Sequence, residues 1–385
     1  MPEYKQPLDS KMGNEETSIF AVMTNLSNKY DALNFSQGFP NFDISSELIQ
    51  LVHKYMQYGY NQYAPMGGTP ELRKAISEKY KLLYNIEYNP DTEINITAGA
   101  TQGLYTIITS MIKKDDEVII FEPAYDSYAP SIRFSGGKVI GCQLKAPDFR
   151  IDFDDLKSKI TSKTKMIIIN SPHNPTGIII SEAEMKALEN IIEGTKILLL
   201  SDEVYEHLVY DGKKHESACK YPGLINNTFI TGSFGKTFHA TGWKMGYVLA
   251  PANLMEEFRK LHQYVVFTCN TPIQLAIAEH MKDPENYLHL NDFYQRKRDA
   301  FIESIKGSRF KPLKCEGTYF QVLDYSDISN EYEMEFAHKL IAEHKIASIP
   351  IAPFYKDKVN QNILRFCFAK TEESIQQAGE ILKRI

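Results

Sequence analysis

An α/β fold is what this sequence predicts: a mostly parallel sheet covered by helices on both faces, with a smaller α+β unit beside it. Three observations carry the expectation. From Glu93 onward the chain repeats strand, loop and helix patterns. Its strand-like runs, such as Ile197-Leu-Leu-Leu200, are continuously apolar and do not alternate with polar residues, which marks strands buried on both faces. At 385 residues the chain is also long enough for two domains and a large core.

Residues 1–16 are polar and charged, and are expected to be mobile or draped over another surface. From Thr17 to Lys29, Ile19, Phe20, Met23 and Leu26 recur at helical spacing. Asn34 to Phe42 follows as a loop. There Gly38, before Phe39-Pro40, would let the backbone approach a ligand, or the segment is a loop and nothing more. Leu48–Gln57 and Glu71–Tyr84 are helical in pattern, separated by the irregular loop Asn61-Gln-Tyr-Ala-Pro-Met-Gly-Gly68. Strands are expected at Ile94–Thr97, Glu117–Phe121, Lys138–Leu144, Lys165–Asn170, Ile197–Leu200 and Asn227–Ile230. After the first, Ala98–Thr101 reads as a tight turn and Gln102–Lys113 as a helix with Leu104, Ile107, Ile108 and Met111 on one face. Ser181-Glu-Ala-Glu184 is a capping box that opens another helix. A long helical stretch is expected from Pro272 to about Lys306. Beyond it Tyr319–Leu323, Ala347–Ile351 and Asn362–Ala369 read as strands, and Glu333–His344 and Glu372–Arg384 as helices. The expected division is a large domain over 46–282, a small α+β domain over 283–385, and an N-terminal segment, 1–45, that joins the small domain.

A net charge of −6 without any basic block argues against nucleic acid as the main partner. Cys142, Cys219, Cys269, Cys315 and Cys367 are scattered, odd in number and form no C-x-x-C pair, which fits reduced thiols in a cytoplasm. The polar N-terminus has no apolar signal-peptide core, and no apolar run approaches membrane-spanning length. Internal repeats and low-complexity tracts are lacking.

The chemistry concentrates in Thr231-Gly-Ser-Phe-Gly-Lys-Thr-Phe-His-Ala-Thr-Gly-Trp-Lys-Met-Gly246. Gly235-Lys236-Thr237 copies the end of a nucleotide P-loop, but that motif needs a glycine at 230, where the chain has Ile230. Two readings remain: a glycine-rich surface turn with solvated lysines, or a lysine that forms a Schiff base while Ser233 and Lys244 hold a phosphate. Asn170 to Asn174, Asp202 and Lys236 all lie just past the carboxyl ends of strands, the edge where open α/β sheets bind ligands. That coincidence favours the second reading. Asp202, expected to be half buried, would suit a pyridinium nitrogen or would cap a loop. Tyr205 would reach the same ligand or merely pack. Asn174 would donate to a phenolate oxygen or fix an Asx turn. Gly99, Ala100 and Thr101 open a helix, so their amides and the Thr101 hydroxyl would bind phosphate, or Thr101 is a plain N-cap. Tyr125 would stack on a planar ring or sit in the core. Arg365, inside the apolar strand of Asn362–Ala369, must find an anion, either a substrate carboxylate or an internal Asp or Glu.

Five motifs as a set resemble the class I aminotransferases, the pyridoxal phosphate enzymes of fold type I: Ser36-Gln-Gly-Phe-Pro40, Asn61-Gln-Tyr-Ala-Pro65, Asn174-Pro-Thr-Gly177, Ser201-Asp-Glu-Val-Tyr205 and Ser233-Phe-Gly-Lys-Thr237. The resemblance runs from about Phe20 to the C-terminus. Gly242-Trp-Lys-Met-Gly246 is similar to the branch with methionine, glutamine–phenylpyruvate and kynurenine aminotransferases. It implies pyridoxal 5′-phosphate as cofactor, bound by the large domain. Lys236 would carry the cofactor covalently and shuttle the proton. Asp202 would pair with the ring nitrogen, Asn174 and Tyr205 with the ring oxygen, and Tyr125 would stack. Ala100, Thr101, Ser233 and Lys244 would hold the phosphate, Lys244 standing where many relatives carry arginine. Arg365, Asn174 and the Gly38 backbone would receive the substrate carboxylate, and Phe20 would line the side-chain pocket. Tyr63 would reach the phosphate of the other subunit in a homodimer.

Aspartate-type relatives use a second arginine from the partner subunit, and the matching stretch, Gln263 to Gln274, contains none. The resemblance therefore implies a transaminase for neutral, large amino acids, in solution in the cytoplasm. A C–S β-lyase on the same scaffold is the competing activity. A cofactor-binding regulator would need a DNA-binding domain for which the short N-terminal segment leaves no room.

Overall fold

The computed structural model describes residues 2, 4–7, 10, 13 and 17–385. The expectation for residues 1–16 falls largely outside them. Seven strands build the central sheet: β2 (Ile94–Thr97), β3 (Glu117–Glu122), β4 (Lys138–Gln143), β5 (Thr164–Asn170), β6 (Leu198–Asp202), β7 (Thr228–Ser233) and β8 (Gly246–Leu249); the two-residue strand β1 (Leu33–Asn34) lies outside it. Their order is β2-β8-β7-β6-β5-β3-β4. All pairings are parallel except those of β8, which runs antiparallel to both β2 and β7.

The apolar runs are continuous because the sheet buries both faces. Along β3, Val118 and Ile120 join a core with Leu104, Ile107 and Ile108, whereas Ile119 and Phe121 join the core on the other side. Side chains alternate across a strand, so a sheet with helices on both faces needs apolar residues at every position.

The remaining strands are β9 (Lys311–Pro312), β10 (Phe320–Asp324), β11 (Ile346–Ala347), β12 (Ile349–Pro350) and β13 (Ile363–Cys367). They form a four-stranded sheet in the order β12-β13-β10-β9, while β11 pairs in parallel with β1. The helix α1 (Ile19–Tyr30) packs against Glu333–His344. Two further helices, α2 (Ser46–Gln57) and α3 (Pro70–Tyr84), precede β2, and α4 (Ala100–Met111) follows it.

Three expectations need correction. The single strand Ala347–Ile351 is two, because the chain passes from the β1 pairing to the β13 pairing at the fully buried Ser348. The helical stretch from Pro272 is broken into Thr271–His280, Glu285–Leu288 and Leu290–Ser304, with Pro284 at the break, where its missing N–H cannot continue a helix. Ala98–Thr101 is not wholly a turn: α4 begins at Ala100, with Gly99 as its cap at φ 79°, so Thr101 is not the N-cap.

Candidate active site

The reversal of β8 is what assembles the site. Lys236 follows the carboxyl end of β7, in the helical turn Phe234–Thr237. Lys244 stands two residues before β8, and because β8 runs back, it returns to the same edge. The carboxyl ends of β2, β5 and β6 bring Gly99–Thr101, Asn170–Asn174 and Asp202–Tyr205 there as well. They surround a cleft of about 230 Å³.

The Lys236 amine donates to the Tyr319 hydroxyl at 2.8 Å and to the Gly38 carbonyl at 3.1 Å. Burial draws it down to about 8, and the Arg365 and Lys244 charges act in the same direction. Asp202 is fully buried, not half buried as expected. Its carboxylate accepts from the Tyr128 hydroxyl at 2.6 Å. Burial pushes this carboxyl up to about 6, against the hydrogen bonds from Tyr128 and the Val204 amide. Asn170 ties two segments together: its amide donates to the Asp202 carbonyl at 2.8 Å, and its oxygen accepts from the Asn174 N–H at 2.8 Å.

Arg365 has no exposed surface. One guanidinium nitrogen donates to the Asn174 side-chain oxygen at 2.6 Å and another to the Ser36 carbonyl at 3.0 Å, while Nε has no partner. The guanidinium lies 3.8 Å from the Phe320 ring centre and 5.2 Å from that of Phe20. Among the described residues no carboxylate pairs with it, which removes the internal ion pair as its explanation. A buried cation held by neutral groups alone, with a free donor, is built to receive an anion. Asn174 gives its oxygen to Arg365 and not to an Asx turn, which leaves its amide hydrogens for another acceptor.

At the opposite end, α4 presents the unpaired amides of its first turn. A Cβ on Gly99 would lie 3.4 Å from the Lys244 amine, so a cation sits beside the positive end of a helix. Like charges brought together in this way fit an anion between them, and a phosphate group matches the donor set. Ser233 and Thr101 line the same end, with the Thr101 and Tyr125 hydroxyls 3.2 Å apart. Tyr205 is buried with its ring edge-on to Tyr319, 5.2 Å away. Gly38 lies in the cleft, but its carbonyl is taken by Lys236 and Tyr319, so only its N–H remains for a carboxylate.

Tyr128, Tyr319, Asn170 and Phe320 join the site without having been singled out for a role from sequence. Tyr128 carried a signal, since it stands three residues after Tyr125 at the start of the helix Tyr128–Phe134. Tyr319 and Phe320 arrive from the other sheet and carried none. Tyr63 stands apart: it is 84 % exposed, outside the cleft of its own chain, with its ring against Phe267. Among the described residues no cluster of His, Cys, Asp or Glu could hold a metal, and no helix is long and apolar enough to cross a membrane.

Comparison with known proteins gives a consistent result. The family of class I and II aminotransferases matches residues 30–382. A methionine aminotransferase of Escherichia coli (strain K12) is 43 % identical over 377 residues, covering 98 % of each chain. Kynurenine–oxoglutarate transaminase 1 of Mus musculus is 33 % identical, over 92 % of each. The solved structure of YbdL from Escherichia coli, described as having a methionine aminotransferase function, superposes with a TM-score of 0.96 at 42 % identity over the whole of both chains. An aspartate aminotransferase of Thermus thermophilus superposes at 0.90 with 26 % identity, over 98 % of this chain and 99 % of the other. A family match over nearly the whole length, on a chain whose cleft gathers a buried lysine, carboxylate and arginine, makes this protein an enzyme of the class I and II aminotransferase family.

Proposed function

We propose that the enzyme transfers the amino group of a neutral L-amino acid, of methionine, aromatic or glutamine type, to a 2-oxo acid, with pyridoxal 5′-phosphate as cofactor. The observation that carries this reading is Arg365, a fully buried guanidinium with no carboxylate partner among the described residues, in one cleft with Lys236. It selects a ligand with a carboxylate, and it places that ligand beside an amine that burial has left easy to deprotonate.

Each residue then has a task. The amides of Ala100 and Thr101, with Ser233 and Lys244, would hold the phosphate. Asp202, held by the Tyr128 hydroxyl, would pair with the ring nitrogen. Asn174 and Tyr205 would donate to the ring oxygen, and Tyr125 would stack on the ring. When bound, the cofactor supplies a carbonyl for the substrate amine and a ring that takes up electron density. Arg365 fixes the substrate carboxylate, and Lys236 moves the proton at the substrate α-carbon.

The side-chain preference rests on charge. Lys236, Lys244 and Arg365 are the only cations lining the cleft among the described residues, and all three are committed. Phe20 adds an apolar wall, and the methionine and kynurenine relatives favour the same class. Their aminotransferase names also favour transamination over the β-lyase activity. All five cysteines are free and buried, in keeping with a reducing cytoplasm.

A panel of amino donors against one acceptor acid tests the reading. Methionine, an aromatic amino acid or glutamine is expected to exceed aspartate in kcat/KM by at least ~10²-fold, because a second carboxylate would be buried unpaired. Aspartate as the best donor would sink the pocket assignment. Pyruvate and thiol released from a cysteine conjugate without any acceptor would instead establish the lyase.

A further inference from the structure

Tyr319 holds the amine of Lys236, and neither sequence motif nor cleft geometry assigns it a part in the reaction. It stands immediately before β10, in the second sheet, and is fully buried. Its hydroxyl donates to the Gly38 carbonyl at 2.6 Å and accepts from Lys236 at 2.8 Å. The same carbonyl accepts from Lys236 at 3.1 Å, which closes a triangle of amine, hydroxyl and carbonyl.

The direction of each bond follows from the donor inventory. A carbonyl can only accept, so the single hydroxyl proton is spent on Gly38. What Tyr319 presents to Lys236 is therefore a lone pair. An amine facing two acceptors must donate to both, and an ammonium does so more strongly than a neutral amine. Burial holds the phenol itself well above its ordinary range, so it stays neutral and keeps its proton.

We propose that Tyr319 is a positioning residue for Lys236: with the Gly38 carbonyl it forms a two-point rest that aims the amine and favours its protonated form. The proposal rests on the reading of Lys236 as the proton carrier. It joins three distant parts of the chain, since Gly38 lies in the N-terminal segment, Lys236 after β7 and Tyr319 before β10. Ring contacts with Tyr205 at 5.2 Å and Tyr294 at 5.7 Å keep the phenol from turning away.

The test is Tyr319→Phe, which removes one oxygen and keeps the ring. The charged and titratable groups facing Lys236 are Asp202, Tyr205, Lys244, Tyr319, Arg365 and Cys367, and the substitution alters only Tyr319. The first readout is the pH dependence of Lys236 labelling by trinitrobenzenesulfonate in the cofactor-free protein, with peptide mapping. Loss of an acceptor is expected to lower the midpoint by about one unit, from about 8, so labelling at pH 7 becomes about fivefold faster. The second readout is turnover of the holoenzyme, where kcat is expected to fall about tenfold or more while KM stays within about twofold.

An unmoved midpoint would overturn the proposal, as would a moved midpoint with unchanged kcat. If the phenylalanine variant does not fold, 3-fluorotyrosine incorporation keeps the test open: a weaker acceptor oxygen must move the midpoint in the same direction, and no movement overturns the proposal. If the midpoint moves but Lys236→Ala retains turnover, the rest exists and the reading of Lys236 as proton carrier fails instead.

Discussion

Asp202 shows how one residue can be legible in its position and illegible in its state. Its place after an apolar strand predicts a carboxylate at the sheet edge, but not that Tyr128 supports it there. With burial pushing it up to about 6, the carboxyl of the cofactor-free protein is ionised above that pH and takes a proton below it. A cationic ring nitrogen needs the ionised form. The Asp202 contribution to pyridoxal 5′-phosphate affinity is therefore expected to be complete above about pH 6 and to fall roughly tenfold per unit below it, as the carboxyl must lose a proton for the cofactor to bind. Asp202→Asn should abolish this acid limb and leave the thermal midpoint near that of the wild type, because the amide oxygen can still accept from Tyr128. Its kcat should fall by on the order of 10²-fold or more, since an amide cannot stabilise a protonated ring nitrogen. Cofactor titrations between pH 5 and 8, with donor turnover, check both parts. An Asn variant that turns over like the wild type would make the carboxylate structural.

At the scale of elements, the hairpin of β7 and β8 is the least predictable part and the one on which the site depends. Gly246 opens β8 where it passes α4: a Cβ there would meet the Ala100 amide nitrogen at 2.8 Å, the Gly232 carbonyl at 2.8 Å and the Gly99 carbonyl carbon at 2.9 Å. All three are backbone atoms that cannot step aside cheaply. Gly246→Ala is expected to destabilise the protein by about 1–3 kcal/mol and to weaken cofactor binding, because it moves the first turn of α4 away from Lys244. Gly242→Ala is the control. It is exposed, with nothing within 4 Å of an added Cβ, and should change stability by no more than about 0.5 kcal/mol. Thermal midpoints with and without cofactor separate the two. Much of the scaffold was readable because buried parallel strands must be apolar at every position, and because the capping box Ser181–Glu184 announces its helix. β8 was not: no strand was expected at Gly246–Leu249, and so short a run gives no sign of its direction either. Nor was the rest formed by Gly38 and Tyr319, which are 281 positions apart and meet only once two sheets have packed.

At the scale of the whole molecule, one side chain has no task within its own chain. Tyr63 is 84 % exposed, and Phe267, whose ring lies edge-on to it 5.4 Å away, is 47 % exposed. The loop beneath it is fixed: the Thr271 hydroxyl donates to the Gln62 carbonyl at 2.7 Å, and that of Thr268 to the Pro65 carbonyl at 3.2 Å. Pro65 further limits the loop's freedom, so the phenol is held outward at low entropic cost. Contiguous exposed aromatic surface on a rigid support is expected to be covered by another protein surface. We propose that the cover is a second copy of this chain, related by a twofold axis, and that Tyr63 of each copy reaches the phosphate end of the other's cleft. Twofold symmetry makes the contact reciprocal, so both sites are completed together. Tyr63→Phe is then expected to leave the dimer intact in sedimentation while weakening cofactor affinity by roughly 1.5–3 kcal/mol, the worth of one charge-assisted hydrogen bond. Because the hydroxyl would act between subunits, mixing Tyr63→Phe with Lys236→Ala gives a further check. In a mixed dimer the one site that keeps Lys236 draws its Tyr63 from the Lys236→Ala copy, and so should bind cofactor as the wild type does. A monomer with full activity, or a Tyr63→Phe dimer with unchanged cofactor affinity, would show that each cleft is complete within one chain.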